Sequence, residues 1–184
     1  MPHLKKQLSR FELLSEEVQV PAKTILLREG DTSKKAFFIK QGCLRLCFNN
    51  NGIDTTFQFA FEGQVISSPE SFRKNVPSLF TIESVEPSVL LVISKANYEK
   101  MMEELSEDND FLKMINEALF ERQLHYMREF LSFIRDTPQQ RYLNLVKEKP
   151  HIIQRIPQRY IASYLGITPV HLSRIRNQTQ KGKK

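Results

Sequence analysis

Residues 36–61 read AFFIKQGCLRLCFNNNGIDTTFQFAF, and this stretch decides the fold class. Runs of aromatic and aliphatic residues alternate in it with two turn signals, Gln41-Gly42 and Asn51-Gly52. An Asn-Gly pair is a strong hairpin signal, because both residues tolerate the positive φ of a two-residue turn. The stretch therefore predicts short strands joined by tight turns.

Residues 4–19 mix apolar and charged positions and are interpreted as a short helix. Runs of aromatic and aliphatic residues like those of residues 36–61 extend from Val20 to about Ser94. Many short strands at near-regular spacing are typical of a β-sandwich or roll. Phe57, Phe59 and Phe61 alternate, so we expect all three to face the interior. The predicted strands are Thr24–Leu27, Ala36–Ile39, Cys43–Phe48, Thr55–Phe61, Val65–Ser67, Phe80–Val85 and Val89–Ile93.

After Ser94 the apolar pattern acquires a helical period. Ser94 is the predicted N-cap of a helix that runs to Leu105, and a long helix without Gly or Pro is predicted over Phe111–Arg135. The next helix begins at Thr137-Pro138-Gln139-Gln140, in which Thr137 suits the N-cap, proline the first position, and Gln140 completes a capping box.

The long helix carries two apolar stripes. The first has spacings of four and three residues, the pattern of a coiled-coil seam, and predicts dimerisation through Phe120, Leu124, Met127, Leu131 and Ile134. The second consists of Leu112, Ile115, Leu119, Tyr126, Phe130 and Phe133. We interpret the first stripe as facing a second subunit and the second as packing on the β-domain of its own chain. The alternative is one broad core-facing surface in a monomer.

Residues 157–178 are similar to a helix-turn-helix. Ala162 is small where two helices would cross, and Gly166 can adopt the left-handed conformation that ends the first helix. Thr168 and Pro169 suit the N-cap and first position of the second helix. The predicted buried contacts between the two helices come from Ile161, Leu165, Leu172 and Ile175.

The second helix would enter the major groove of DNA. Its outer face carries His171, Arg174 and Gln178, and Arg174 is the first candidate for a base contact because guanidinium groups pair bidentately with guanine. His171 is a candidate for a base or a phosphate. The candidate phosphate contacts are Arg159, Thr168, Ser173 and Arg176.

The charge of the chain is concentrated in this segment. The whole chain carries a net charge of +6, but residues 151–184 contain seven Lys and Arg and no Asp or Glu, which leaves −1 on the rest. A short basic module on a near-neutral body favours binding to a phosphate backbone. Residues 179–184 alone fit a disordered basic tail, and they are too few to form a β-hairpin wing after the second helix.

Composition and motifs favour no other class of protein. No apolar run approaches the length of a membrane span or a signal peptide, so we expect a soluble cytoplasmic protein without membrane partners. Cys43 and Cys47 lie too far apart on one strand for a disulfide and are too few for an iron–sulfur cluster. None of the four histidines lies on a predicted strand, which argues against a cupin-like enzyme. We expect no catalytic residues, metal or cofactor.

The order of motifs resembles that of the cyclic-AMP receptor protein and FNR family over essentially the whole chain. The motifs are Glu29-Gly30-Asp31, then Phe38-Ile39 followed by Gly42 and Leu44-Arg45, the long helix and the helix-turn-helix. The resemblance implies an α+β fold with an antiparallel β-roll of the cyclic-nucleotide-binding jelly-roll type, a long dimerisation helix and a C-terminal helix-turn-helix. It also implies a homodimer that regulates transcription from palindromic double-stranded DNA, with RNA polymerase as a candidate partner.

The chain departs from this family at the nucleotide pocket. The Gly-Glu-Leu cassette aligns with residues 67–72, where the glutamate has become Ser68. The Arg-Ser pair that holds the cyclic phosphate aligns with Ser78-Leu79, so its fixed cation is lost. We therefore expect no binding of cyclic AMP. If a different small-molecule effector binds, its pocket would be lined by Phe59, Phe61, Ser67, Ser68, Glu70, Ser78 and Leu79.

The sequence thus predicts a β-roll sensor domain over residues 1–107, a dimerisation helix over 108–136 and a DNA-binding domain over 137–184. The main alternative is a sensor that binds a small molecule or a protein without binding DNA.

Overall fold

A computed structural model describes residues 11–181. These residues form two compact units, and both are discontinuous in sequence. The first unit runs to Phe48 and resumes over Gln58–Phe120, whereas the second comprises Asn49–Phe57 and the chain from Glu121 onward. The domain boundaries expected from the sequence stay a prediction.

Eight antiparallel strands form two four-stranded sheets, with the orders β1-β8-β3-β6 and β2-β7-β4-β5. The predicted β-roll is confirmed. The strands are β1 (Ser15–Val20), β2 (Ile25–Leu27), β3 (Lys35–Gln41), β4 (Leu44–Asn50), β5 (Ile53–Ala60), β6 (Val65–Ile66), β7 (Thr81–Ser84) and β8 (Ser88–Ser94).

Strands β3 and β8 supply two cores because successive side chains point to opposite faces of a strand. Phe37 and Ile39 lie in the core of the roll together with Leu90. Ala36 and Ile93, on the opposite face, belong to a second cluster. The roll core consists of Phe37, Ile39, Leu44, Leu46, Ala60, Ile66, Ile82 and Leu90, and the second cluster of Phe11, Ala36, Phe72, Leu91, Ile93 and Met101.

Strand β5 corrects one prediction. Ala60 lies in the roll core, so the neighbouring Phe59 and Phe61 point to the other face, and Phe57 follows them by alternation. Phe59 is nevertheless buried at 8% exposure, whereas Phe57 is 39% exposed and Phe61 is half-buried. The expectation of an interior position therefore holds for Phe59 and is wrong for Phe57. Of the even-numbered residues of β5, Thr56 and Ala60 are buried.

The helix interpretation of residues 4–19 is wrong from Ser15 onward, because Ser15–Val20 pairs with β8 along its whole length. Alternation is weak in this edge strand, which has no buried residue. Sequence pattern therefore gave little signal for it. Residues 4–10 lie outside the described part of the chain.

Seven helices have bounds given by the structure within the described residues. They are α1 (Pro69–Lys74), α2 (Lys95–Glu104), α3 (Asn109–Arg135), α4 (Pro138–Glu148), α5 (Pro150–Arg155), α6 (Gln158–Tyr164) and α7 (Pro169–Lys181). The predicted caps are confirmed. The Ser94 side chain accepts a hydrogen bond from the backbone N–H of Asn97, and Thr137 forms a full capping box with Gln140. Helix α5 was not predicted.

Gly42 follows the turn after β3 and cannot be replaced without strain. Its φ is +106°, and a Cβ there would lie 2.8 Å from the Cα of Ser88 and closer still to its side chain. Gly63 also has a positive φ, +83°, but nothing lies within 4 Å of its Cβ position. The two glycines therefore separate backbone strain from steric overlap.

We expect Gly42→Ala to destabilise the first unit by about 2 kcal/mol or more, because strain and overlap with Ser88 add. Gly63→Ala should cost only about 1 kcal/mol, the strain of a left-handed residue with a side chain. Thermal unfolding of the full chain, followed by circular dichroism, measures both. Equal losses in Tm would contradict the assigned role of Ser88.

Candidate nucleic-acid interface

Helices α6 and α7, with the turn between them, lie where the helix-turn-helix is predicted. Gly166 ends the first helix with a φ of +68°, and the backbone N–H of Ile167 donates to the carbonyl of Ala162. The Thr168 hydroxyl caps α7 by accepting from the N–H of His171 at 3.2 Å. All four predicted contact residues between the helices are buried, namely Ile161, Leu165, Leu172 and Ile175, and so is the small Ala162. The two helices thus share one small core.

The opposite face of α7 is open to solvent. His171, Arg174 and Gln178 are exposed there, as their spacing predicts, and Thr168 and Ser173 are exposed as well. Arg176 is half-buried. Since Leu172 and Ile175 face inward, the structure places the three candidate base-reading side chains on a single outer surface.

Arg159, the candidate phosphate contact on α6, is exposed and packs on its neighbour Tyr160. Its guanidinium carbon lies 4.5 Å from the centroid of the Tyr160 ring, and Nη2 donates to the Tyr160 hydroxyl at 2.8 Å.

Val170 was missed by the sequence reasoning. It is 62% exposed at the second position of α7 and lies one turn before Arg174. The signal that could have found it is an exposed valine beside outward-facing polar residues. Such a side chain can make an apolar contact with a thymine methyl group.

Glu129 of α3 forms hydrogen bonds with two parts of the C-terminal helical segment from α4 to α7, which we call the reader. One carboxylate oxygen accepts from Lys149 Nζ at 2.6 Å, and the other accepts from the Tyr164 hydroxyl at 2.5 Å. Burial works to raise the pKa of Glu129, but the hydrogen bonds from Lys149 and Tyr164 outweigh it and hold the pKa below its ordinary value. Burial and the Glu129 charge raise the pKa of Tyr164, so the phenol stays a donor.

Arg141 of α4 forms a second attachment. It donates through Nη1 to the carbonyl of Asp136 at 2.7 Å and through Nη2 to that of Leu165 at 2.9 Å. Its guanidinium carbon also lies 4.7 Å from the ring centroid of Phe133. A Cβ on Gly166 would lie 3.3 Å from the Phe133 ring, so a glycine fits this position for space as well as for its φ.

The tip of the β4–β5 hairpin, which belongs to the second unit, holds α6 from another direction. Asn51 and Gly52 have φ values of +52° and +90°, as the hairpin signal predicts. Ser163 Oγ accepts from the backbone N–H of Thr56 at 2.8 Å and donates to the carbonyl of Asp54 at 3.1 Å. One hydroxyl therefore satisfies two backbone groups of the hairpin.

The seven residues predicted to line an effector pocket differ in burial. Ser68 and Ser78 are buried, and their hydroxyl oxygens lie 3.0 Å apart. Leu79 is 74% exposed, and the exposed Glu70 pairs with Lys74. Phe59 and Phe61 point away from the roll core, on the face opposite to Ala60. Ser67 is half-buried beside Ser68.

Four of the five predicted dimerisation residues are exposed on α3. Phe120 and Ile134 are 57% and 69% exposed, and Met127 and Leu131 are each 49% exposed, whereas Leu124 is half-buried. Five of the six residues of the second stripe are exposed as well, and Ile115 is half-buried. The expectation that the second stripe is covered by its own chain is therefore wrong for those five residues. The apolar surface of α3 is wider than one seam.

The described residues contain no group of three or more His, Cys, Asp or Glu that could hold a metal ion. No helix within residues 11–181 is both long and apolar enough to cross a membrane. Cys43 and Cys47 are buried thiols that are not joined in a disulfide. The predicted basic tail begins inside α7, and residues 182–184 lie outside the described part of the chain.

Comparison with known proteins gives matches at the level of domain and fold. Residues 17–105 match the cyclic nucleotide-binding domain family. No curated protein matches the chain in sequence.

Three of the similar solved structures match over most of the chain. The regulator CLP of Xanthomonas campestris, described as responsive to c-di-GMP, has a TM-score of 0.79 at 17% identity, covering 97% of this chain and 93% of its own. FixK2 from Bradyrhizobium japonicum has a TM-score of 0.73 at 15% identity over 92% of this chain and 86% of its own. A CooA mutant from Carboxydothermus hydrogenoformans has a TM-score of 0.71 at 15% identity over 92% of this chain and 78% of its own.

Replacing Ser163 with alanine should loosen the hairpin tip without unfolding the reader, since alanine favours the helix and only the two hydrogen bonds are lost. We expect the Thr56 amide to exchange its hydrogen about tenfold faster. Hydrogen exchange followed by mass spectrometry measures this, with Ser173→Ala on the exposed face of α7 as the matched control. Unchanged exchange over residues 49–57 would show that Ser163 does not hold the tip.

Proposed function

We propose that this chain, which carries a cyclic nucleotide-binding domain over residues 17–105 and has the fold of the CRP/FNR regulators, is a DNA-binding transcription regulator. The observation that carries the proposal is the outer face of α7. An arginine, a histidine and a glutamine project there from a helix whose inner face is anchored in its own small core. A helix presented in this way fits the major groove of DNA.

Charge supports the same function. Residues 151–184 carry seven cationic side chains and no acidic one, and three of the seven, Arg174, Arg176 and Lys181, belong to α7, the proposed recognition helix. Phosphate contacts supply most of the affinity for DNA, and bidentate arginine contacts supply specificity. In the proposed complex Arg174 reads a base. Thr168, Ser173 and Arg176 bind phosphates, as does Arg159 from α6.

The proposed regulator is a homodimer that reads a palindromic site. Exposed apolar side chains of this size seldom cover a helix that has no partner. On α3 they recur at alternating spacings of three and four residues, which a second copy of the same helix would cover by coiled-coil packing. Two recognition helices related by a two-fold axis would then face two half-sites.

The proposed sensor does not bind cyclic AMP. Where the resemblance places the phosphate-binding arginine, Ser78 Oγ donates instead to the carbonyl of Phe80 at 2.7 Å and lies 3.0 Å from Ser68 Oγ. The N–H of Ser33 donates to Ser71 Oγ at 2.8 Å in the same region. These buried polar groups are satisfied by one another, so an anionic phosphate would have to break their hydrogen bonds and find no cation among them.

A sensor that binds a small molecule or a protein without binding DNA is the second candidate function. It is favoured only by the departure of the nucleotide pocket from the family pattern. It predicts no preference among DNA fragments, and the following titration therefore separates the two functions.

We expect the full-length protein to shift a subset of genomic DNA fragments, with an affinity that falls steeply between about 50 and 200 mM salt. Arg174→Ala should lower affinity for the preferred fragment about tenfold or more and relax its specificity, because one bidentate base contact is lost. Arg28→Ala, an exposed arginine of the first unit, is the matched control. The proposal is overturned if wild-type protein shows no preference among fragments at either salt concentration.

Leu131→Glu should convert a dimer to a monomer, because it places a carboxylate in the middle of the predicted seam. Light scattering behind size exclusion should give a mass of 21.6 kDa for the variant and twice that for wild type. Leu79→Glu, at an exposed leucine of the first unit, is expected to leave the mass at that of the wild type. A wild-type monomer at micromolar concentration would rule out the homodimer.

A further inference from the structure

Glu129 lies at the point where the proposed dimerisation helix joins the reader, and it touches two parts of the reader at once. Its first partner, Lys149, is the single residue between α4 and α5. Its second partner, Tyr164, is the last residue of α6 and is 7% exposed. The carboxylate has no role in the proposed DNA contacts, because it lies on α3 and not on the outer face of α7.

The hydrogen bonds of Glu129 bear on the recognition helix because α6 and α7 are closely joined. The turn between them is closed by backbone hydrogen bonds from Gly166 to Ser163 and from Ile167 to Ala162. Ala162 and Leu172 are fully buried in the shared core. A change in the direction of α6 relative to α3 is therefore transmitted to α7.

In a dimer built on α3, the direction of α7 relative to α3 sets the separation and angle of the two recognition helices. A palindrome is bound tightly only when its two half-sites match that separation, because the second half-site then binds as an intramolecular event. A residue that fixes the direction of the reader thus acts on the tolerated spacing between half-sites and not on the contacts within each half-site.

We propose that Glu129 is a positioning residue that fixes the direction of the helix-turn-helix relative to α3 and thereby the spacing of DNA half-sites that the dimer accepts. This inference rests on the proposed function of the chain as a dimeric DNA-binding regulator. Arg141 holds the same junction through Leu165, so loss of Glu129 loosens the reader without detaching it.

The test uses Glu129→Gln in the full-length protein. Glutamine offers one acceptor oxygen where the carboxylate offers two, so one of the two donors, Lys149 or Tyr164, loses its partner. Glu121→Gln removes the same charge from an exposed position of α3 and serves as the matched control. Tyr164→Phe removes only the hydrogen bond to α6 and keeps the ring.

Fluorescence anisotropy measures binding to three kinds of duplex that carry the preferred sequence from the fragment titration. These are the palindrome, a single half-site, and palindromes lengthened or shortened by about one or two base pairs at the centre. For Glu129→Gln we expect about a tenfold loss of affinity for the palindrome and less than about a threefold change for the half-site. The dependence on spacing should also become flatter than in the wild type and the Glu121→Gln control.

Tyr164→Phe should flatten the spacing profile in the same direction, and the double variant should be less than additive, since both changes break one network. A spacing profile of Glu129→Gln identical to that of the wild type overturns the inference, as does an equal loss for half-site and palindrome. Either result leaves the proposed function intact if the wild type still prefers its palindrome. Thermal unfolding of each variant shows whether an equal loss reflects a damaged fold.

Discussion

Helix α3 is a 27-residue helix with more apolar surface than its own chain covers, and the other features depend on how that surface is used. The helix passes from the first compact unit into the second, so each unit is built around a different part of it. Its C-terminal half carries Glu129 and Phe133, whose side chains contact Tyr164 and Arg141 of the reader. The exposed apolar stripes and these two contact residues thus lie on one helix. A partner helix packed on α3 would fix the position of both.

Polar groups are used differently in the two units. In the roll, buried serines satisfy one another and nearby backbone groups. In the second unit, polar side chains connect elements that are far apart in sequence, as Tyr164 and Ser163 do on α6. The first arrangement stays within the roll, whereas the second fixes the position of a helix.

Much of the fold followed from local pattern. The hairpin at Asn51-Gly52, the capping box at Thr137 and the core of the helix-turn-helix were predicted because each has a short-range steric or hydrogen-bonding cause. Strand β1 was misassigned because an edge strand without buried residues shows no clear alternation. Helix α5 was missed because six residues between two prolines carry too little period.

The candidate site was predictable only where one helix carries it. The spacing of His171, Arg174 and Gln178 places them on one face, and their exposure agrees with it. Alternation placed Phe57, Phe59 and Phe61 on a common side of β5 but did not predict their different burial, since Phe59 is buried and Phe57 is exposed. The attachments of Glu129 and Ser163 join residues 35 and 107 positions apart, and no local pattern encodes such partners.

The hydrogen bond between Thr56 and Ser163 also has a kinetic meaning. The hairpin tip and α6 are separated by 107 residues, so the tip leaves the ribosome long before its partner exists. Contacts of such sequence separation form late, because a long loop must close before they contribute any stability. During synthesis the backbone groups of Asp54 and Thr56 in the β4–β5 hairpin are therefore hydrated at first. The second unit is complete only after α6 has emerged.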